Sequence, residues 1–426
     1  MVELRAEVFQ NEYLAQGAEV VDAVVTVTAT GGTAGGRVSG ETVEVIVIDT
    51  SGSMSGDRGR KIVAAREATK AAIDVIRDGV LFAVVGGTEV ARTIYPAQIG
   101  LARADAATRD EAKAAVDQVR AQGGTAIGTW LHATAHLVDM APGALAHATL
   151  LTDGKNESES DADLDAAIAA CMGKFQCDAR GLGADWVVEE LRRVSSALLG
   201  TVDIVPDPDQ LEAEFRALTQ KAMGREAVVS LRLWNPKGAS LEFLKQVSPD
   251  LQDLTAGAVA VDALTNDHPL GAWSGAEERD YHLRVRVPPG NVGDERLAAR
   301  VTLVVDDVPQ TPALVRAIWT TDQGLSTRIN PAVAHYTGQA ELADAIHEGL
   351  AARAEGDEAT ATVRLGRAVQ LAHEAGNSDT VQLLRGVVEV EDPATGTVRL
   401  KREVGEADAM ALDVRSTRTV RVKKAT

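Results

Sequence analysis

Aromatic side chains are scarce in this chain: Phe, Trp and Tyr together make up 3% of its 426 residues. Its cores must therefore be built mostly from Ala, Val and Leu. Cysteine is scarcer still, with only Cys171 and Cys177. Two cysteines make no disulfide framework, and their spacing fits no common zinc pairing. Reduced thiols in a cytoplasmic protein are expected, with a local redox disulfide as the alternative. Basic charge is in deficit, 43 Lys and Arg against 62 Asp and Glu, for a net charge of −19. A nucleic-acid binder needs a basic face for phosphates, so nucleic acid is not an expected partner. No apolar run is long enough to span a bilayer. Met1–Gln10 lacks the basic start and apolar centre of a secretory signal. Catalytic signatures are missing too. There is no GxxxxGK[ST] loop, and Gly181-Leu182-Gly183 lacks dinucleotide-loop spacing. His132 and His136 share a helix face, but Ala133 stands where HExxH requires Glu. No nucleophile–base pair stands out, so no enzyme is expected.

What the chain does have is Val43–Gly56, VEVIVIDTSGSMSG. An apolar strand ends at Asp49, and hydroxyls follow at Ser51 and Ser53. A carboxylate and hydroxyls at alternate positions on a loop leaving a strand suit a small hard cation. Magnesium takes oxygen ligands in a near-octahedral shell and keeps some waters. Further donors come from GGTAIGTWL, which holds Thr125, and from ATLLTDGK, which holds Asp153 after another apolar run. The plain alternative is a strand end whose Asp and Ser residues cap the next helix. Capping explains neither Thr125 nor Asp153.

In order and residue type, Asp49, Ser51, Ser53, Thr125 and Asp153 resemble the metal-ion-dependent adhesion site of a von Willebrand factor type A domain. The resemblance covers residues 41–223. It implies that Mg2+, or Mn2+, is held by these five residues with one coordination position open. A partner protein commonly fills that position with an Asp or Glu carboxylate. The two aspartates neutralise a divalent ion while the hydroxyls add no charge, so the ion stays attractive to an anion. Bacterial cytosolic proteins with this domain often accompany AAA+ ATPases, or kinase and forkhead-associated signalling proteins. A metal-dependent protein-binding scaffold is the leading expectation. The alternatives are a metal-dependent hydrolase, which lacks an evident base, and an assembly subunit whose metal only stabilises the fold.

The alternation of apolar and amphipathic runs over 41–223 predicts an α/β doubly wound, mostly parallel sheet. In such sheets ligands sit beyond the carboxyl ends of the strands. Short alternating strands and turn signals over 224–320 predict an antiparallel β-sandwich, joined by N-terminal strands from 1–40 with Gly31–Gly40 as linker. Residues 321–405 predict a helical bundle with a short hairpin around Ala394-Thr395-Gly396. Residues 406–426 read as a flexible basic tail, with Ser416, Thr417 and Thr419 among basic residues as phosphorylation candidates. Two further readings concern single residues. Cys177–Trp186 is a glycine-containing turn, or else a site rim at which Asp178, Arg180 and Asp185 touch a partner. His147 is expected to be structural.

Overall fold

Continuous apolar runs become the central strands of one sheet, and alternating runs become the half-covered strands of two others. The computed structural model describes residues 2–31 and 40–422. Met1, most of the expected linker (32–39) and the end of the expected tail (423–426, with Lys423 and Lys424) lie outside the described residues.

In chain order the elements are β1 (Val2–Gln10), β2 (Tyr13–Ala15), β3 (Val20–Gly31), β4 (Thr42–Asp49), α1 (Arg60–Val75), β5 (Leu81–Gly87), β6 (Ala91–Tyr95) and β7 (Ala102–Arg103). Next come α2 (Ala106–Asp117), α3 (Ile127–Val138), β8 (Leu145–Thr152), α4 (Asp161–Cys171), β9 (Gln176–Leu182), α5 (Val188–Ala197), β10 (Val202–Val205) and α6 (Leu211–Met223). The strands β11 (Ala227–Trp234), β12 (Ser240–Ser248), β13 (Gln252–Asp253), β14 (Val259–Asp262), β15 (Thr265–Trp273), β16 (Glu278–Arg286), β17 (Glu295–Val305), β18 (Val308–Pro309) and β19 (Ala313–Thr320) follow. The chain then forms α7 (Gln323–Ser326), α8 (Pro331–Ala354), α9 (Glu358–Glu374), α10 (Ser378–Val387), β20 (Val388–Asp392), β21 (Thr397–Leu400) and α11 (Glu406–Arg415).

Residues 40–226 form one compact unit. Its sheet runs β10-β9-β8-β4-β5-β6. The strands from β10 to β5 are parallel, while β6 and β7 pair antiparallel with β5. The doubly wound sheet expected from the alternation is present. Its antiparallel edge was not expected, because Arg92 and Thr93 interrupt the apolar character of β6. Every residue of β4 is buried, as befits a central strand flanked by helices on both faces. Ile46, Ile48, Met54, Ile73, Phe82 and Phe215 fill the core on the α1–α6 side. Helices α2 and α4 start on reciprocal side-chain caps, Asp105 with Thr108 and Ser160 with Asp163.

Residues 2–31 with 227–422 form the other unit. One sheet has the order β1-β3-β16-β12-β13 and a second β14-β15-β11-β17-β19-β2, with β18 on β17. Both are antiparallel except where β2 pairs with β19. In β11, Ala227, Val229, Leu231 and Leu233 are buried and the residues between them are not, the period of a strand covered on one face. Helices α8 to α11 bury Leu342, Ile346, Leu365, Val369, Leu384 and Leu412. Helix α8 begins at Pro331. Asn330 caps it and Pro331 occupies its first turn, where a missing N–H costs nothing.

The flexible tail is a correction. Its first part is helix α11, whose Leu412 is fully buried. Beyond it, Thr419 Oγ1 donates to the Val247 carbonyl at 2.7 Å. Arg421 pairs with Glu278 at 2.6 Å and with Asp280 at 2.8 Å. Ala411, Leu412 and Val414 give this basic segment an apolar face to bury, and the acids of β16 neutralise Arg421. Ser416 is buried and bonded to His347.

Candidate functional site

The loop after β4 is fixed by backbone bonds together with the side chains of Asp49, Thr50 and Met54. Asp49 stands opposite Gly87 at the carboxyl end of the sheet. Thr50 donates through N and Oγ1 to the Gly87 carbonyl, at 2.8 and 3.0 Å. The Ser51 N–H turns back onto Asp49 Oδ1 at 2.7 Å, as an Asx turn does. Met54, fully buried, anchors the following turn. Gly52 N donates to the Gly123 carbonyl and Gln122 N to the Thr50 carbonyl, at 2.8 and 2.7 Å. These two bonds tie the loop to the segment carrying Thr125.

The second carboxylate arrives from the neighbouring strand. Pairing of Ile48 with Leu151 sets the end of β8 beside Asp49. Thr152 Oγ1 then donates to Asp49 Oδ2 at 2.6 Å, and Asp153 follows. Ser53 Oγ donates to Asp153 Oδ1 at 2.6 Å and lies 2.9 Å from Ser51 Oγ. Thr125 is held by two bonds with Ser158, from its N–H at 3.1 Å and to its carbonyl at 2.9 Å. Gly154 faces both hydroxyls: a Cβ there would lie 3.1 Å from Ser53 Oγ and 3.7 Å from Thr125 Oγ1. The structure thus gathers all five predicted residues at one rim of the sheet. Asp49, Ser51, Thr125 and Asp153 are buried, and Ser53 is exposed at the mouth.

Burial pushes the Asp49 carboxyl above its ordinary value, against the bonds from Ser51 and Thr152, and the nearby Asp153 charge adds to the rise. Asp153 has a cationic neighbour that sequence reading missed. Lys61, in the first turn of α1, places Nζ 2.7 Å from Asp153 Oδ2 and 3.3 Å from Asp185 Oδ2. Burial works against the Lys61 charge, but the two carboxylates outweigh it and its pKa is raised. The available signal was positional: a helix starting just after the loop points its first turn back at the strand ends. An open cleft of about 550 Å³ adjoins the loop, with Thr50, Glu89, Arg92, Gln122 and Gly123 among its walls.

A second cluster lies deeper in the same sheet. His147 Nδ1 is 2.9 Å from Glu44 Oε2 and its Nε2 is 2.9 Å from Asp178 Oδ2. Asp178 Oδ1 also accepts from Thr201 N and Oγ1, both at 2.7 Å. Burial resists charge on both groups. Even so, Glu44 and Asp178 raise the His147 pKa, and His147 with Arg225 holds Asp178 well below the usual carboxylate range. The rim reading of Asp178 and Arg180 is therefore corrected. Strand β9 runs on to Leu182 and buries both, with Arg180 paired to Glu214 at 2.7 Å. Asp185 alone of the three is exposed at the rim.

Other candidates fall away from the site. His132 and His136 are exposed on α3. Cys171 and Cys177 are free, buried thiols, and burial pushes Cys171 up to about 11. Among the described residues no three His, Cys, Asp or Glu side chains gather as a metal-holding group. The rim just described has two carboxylates and relies on hydroxyls instead. Among those residues, too, no helix is long and apolar enough to cross a membrane.

A doubly wound sheet with a polar loop cluster at its carboxyl edge defines an α/β interaction module. The von Willebrand factor type A domain model matches residues 44–204, and the von Willebrand factor type A C-terminal domain model matches 370–416. A solved von Willebrand factor type A structure from Catenulispora acidiphila is 54% identical, covers 98% of this chain and 97% of its own, and superposes with a TM-score of 0.93. The chain belongs to the von Willebrand factor type A family. Domains of this family are characteristically non-catalytic adhesion and scaffolding modules, and this protein is an interaction module of that type. The ArnB paralog VWA2 from Sulfolobus acidocaldarius shares the fold at 15% identity, with 98% of each chain covered and a TM-score of 0.59. The human COPII-coat protein Sec24c shares it at 11% identity over 93% of this chain and 60% of its own, with a TM-score of 0.54. No curated protein matches the chain.

Proposed function

We propose that this protein is a metal-dependent protein-binding scaffold. Asp49, Ser51, Ser53, Thr125 and Asp153 hold Mg2+, or Mn2+, and the ion's open position takes an Asp or Glu side chain of a partner. The observation that carries this reading is the convergence of two buried carboxylates and three hydroxyls at one rim, with Ser53 exposed. The donors are all oxygen, as hard cations require. The space against Gly154, which a Cβ would fill, supports the fit. Two carboxylates balance a divalent ion, and neutral hydroxyls leave it electrophilic. An acidic protein can in this way capture an acidic side chain locally. A cytoplasmic setting, expected for a sequence with two cysteines and no disulfide framework, belongs to this reading. An ATPase-associated or signalling complex is the setting the family resemblance favours.

The test uses the full chain and its Asp49→Ala variant. Calorimetric titration should show Mg2+ or Mn2+ binding to the wild type and none to the variant. At a hundredfold excess over its dissociation constant, the metal should stabilise the wild type alone by ~2.7 kcal/mol. Partner capture should need metal and be lost in the variant while the variant stays folded. A wild type that takes no divalent metal, or that captures the same partner in chelator, sinks the reading. A sharp drop in the melting temperature of Asp49→Ala, with no specific partner lost, would point to a purely structural cation.

A further inference from the structure

Lys61 carries an inference that rests on the metal reading above and goes beyond it. Its side chain is only 15% exposed, and its ammonium lies between two carboxylates of opposite character. Asp153, 2.7 Å away, is fully buried and belongs to the donor set. Asp185, 3.3 Å away, is 76% exposed and does not. Asp153 is already satisfied on both oxygens, by Ser53 and by Lys61. A divalent ion drawing on Asp153 would share one carboxylate with the ammonium, and like charges so placed repel strongly where water is excluded. Asp185 offers the ammonium a second seat already within reach, with no need to leave the rim.

We propose that Lys61 is a built-in competitor for the metal site, seated on Asp153 and handed over to Asp185 when a divalent ion binds. Two consequences follow. Metal affinity is set below what the five oxygen donors alone would give. Occupancy is also transmitted to the Gly183–Asp185 turn, since the hand-over draws Lys61 onto an exposed rim residue. The site thereby couples metal loading to the shape and charge of the surface a partner meets. A lysine that merely neutralises a buried carboxylate would leave Asp185 with no special role.

Mn2+ titration of the full chain separates these cases, using wild type, Lys61→Met, Asp185→Asn and the double variant. Lys61→Met should bind Mn2+ about tenfold tighter, equivalent to ~1.4 kcal/mol. Asp185→Asn should bind it about threefold weaker, because the displaced ammonium loses its alternative seat. In the Lys61→Met background the Asp185 substitution should have little effect, since no ammonium remains to be moved. Lys61→Gln replaces Lys61→Met if melting shows the latter unfolded. Unchanged or weaker Mn2+ binding by the lysine variant overturns the proposal. So does an Asp185→Asn effect that is nil, or equal in the two backgrounds. If wild type takes no Mn2+ while the lysine variant does, the metal reading fails for the native chain and the hand-over to Asp185 is overturned with it. If no variant takes Mn2+, the metal reading itself fails and this proposal with it.

Discussion

The parallel sheet holds two clusters of buried charge, and they differ in how their partners are supplied. In the deeper cluster every charged group answers another: Glu44, His147, Asp178 and Arg225 are all buried and bonded to one another. At the rim, Asp49 and Asp153 are equally buried, but their cluster ends in exposed Ser53 and in a lysine with two acceptors. Arg225 Nη1 apart, the first arrangement closes on itself, away from solvent. The second is satisfied by groups that can change partner. Strong burial of charge is common to both, so burial alone does not identify a site. An exchangeable partner at an open edge does.

The largest test of this contrast is removal of Asp178, which should leave the Thr201 N–H, His147 and Arg225 without their acceptor. Asp178→Ala is expected to destabilise the α/β unit by about 3–5 kcal/mol, because a broken buried ion pair strands a desolvated charge. Urea unfolding checks it, and a loss under ~1 kcal/mol would mean the cluster is not a structural lock.

Gly154→Ala should act at the rim in the opposite sense. A Cβ 3.1 Å from Ser53 Oγ crowds the donors, so Mn2+ binding should weaken about tenfold while stability changes by less than ~1 kcal/mol. Calorimetric titration beside a thermal melt reads both. Unchanged Mn2+ affinity would show that this space is not part of the ion's seat.

A smaller effect is expected from pH. His147 is raised on folding, so its contribution is complete below the unfolded value of about 6.5 and is lost as pH rises through the higher folded value. Asp178 is depressed, so its contribution is present above about 3.9 and is lost as pH falls through the folded value. The contribution of this cluster to the α/β unit should therefore be greatest between about pH 4 and 6.5 and weaken on either side. A series of urea midpoints across pH tests this, and a flat series in Asp178→Ala would tie the dependence to this cluster.

Much of the α/β unit was legible because its strands are mostly apolar runs, broken only singly, as by Glu44 in β4 and Thr149 in β8. Val43–Ile48 and Ala148–Thr152 each announce a buried parallel strand, and each ends at a carboxylate. Thr125 was legible only through its Gly-Gly-Thr setting, since no periodicity marks it. The antiparallel β6 was not, because Arg92 and Thr93 mask it. Asp178 and Arg180 were misread as possible rim residues because a charged pair in a strand resembles a loop until its partners, His147 and Glu214, are in view. The C-terminal segment was misread for a related reason. Arg421 looks solvated in isolation and is in fact neutralised by Glu278 and Asp280 from a distant strand.

The order of strands and helices in the α/β unit, and the strand ends that carry Asp49 and Asp153, were set by local patterns of apolar and polar residues. Such patterns act over a few neighbours and can be read directly. Which charges are sealed and which are exchangeable was decided only by tertiary structure. That distinction depends on what a side chain meets across tens or hundreds of residues, as Lys61 meets Asp153, and a linear sequence does not record such distances.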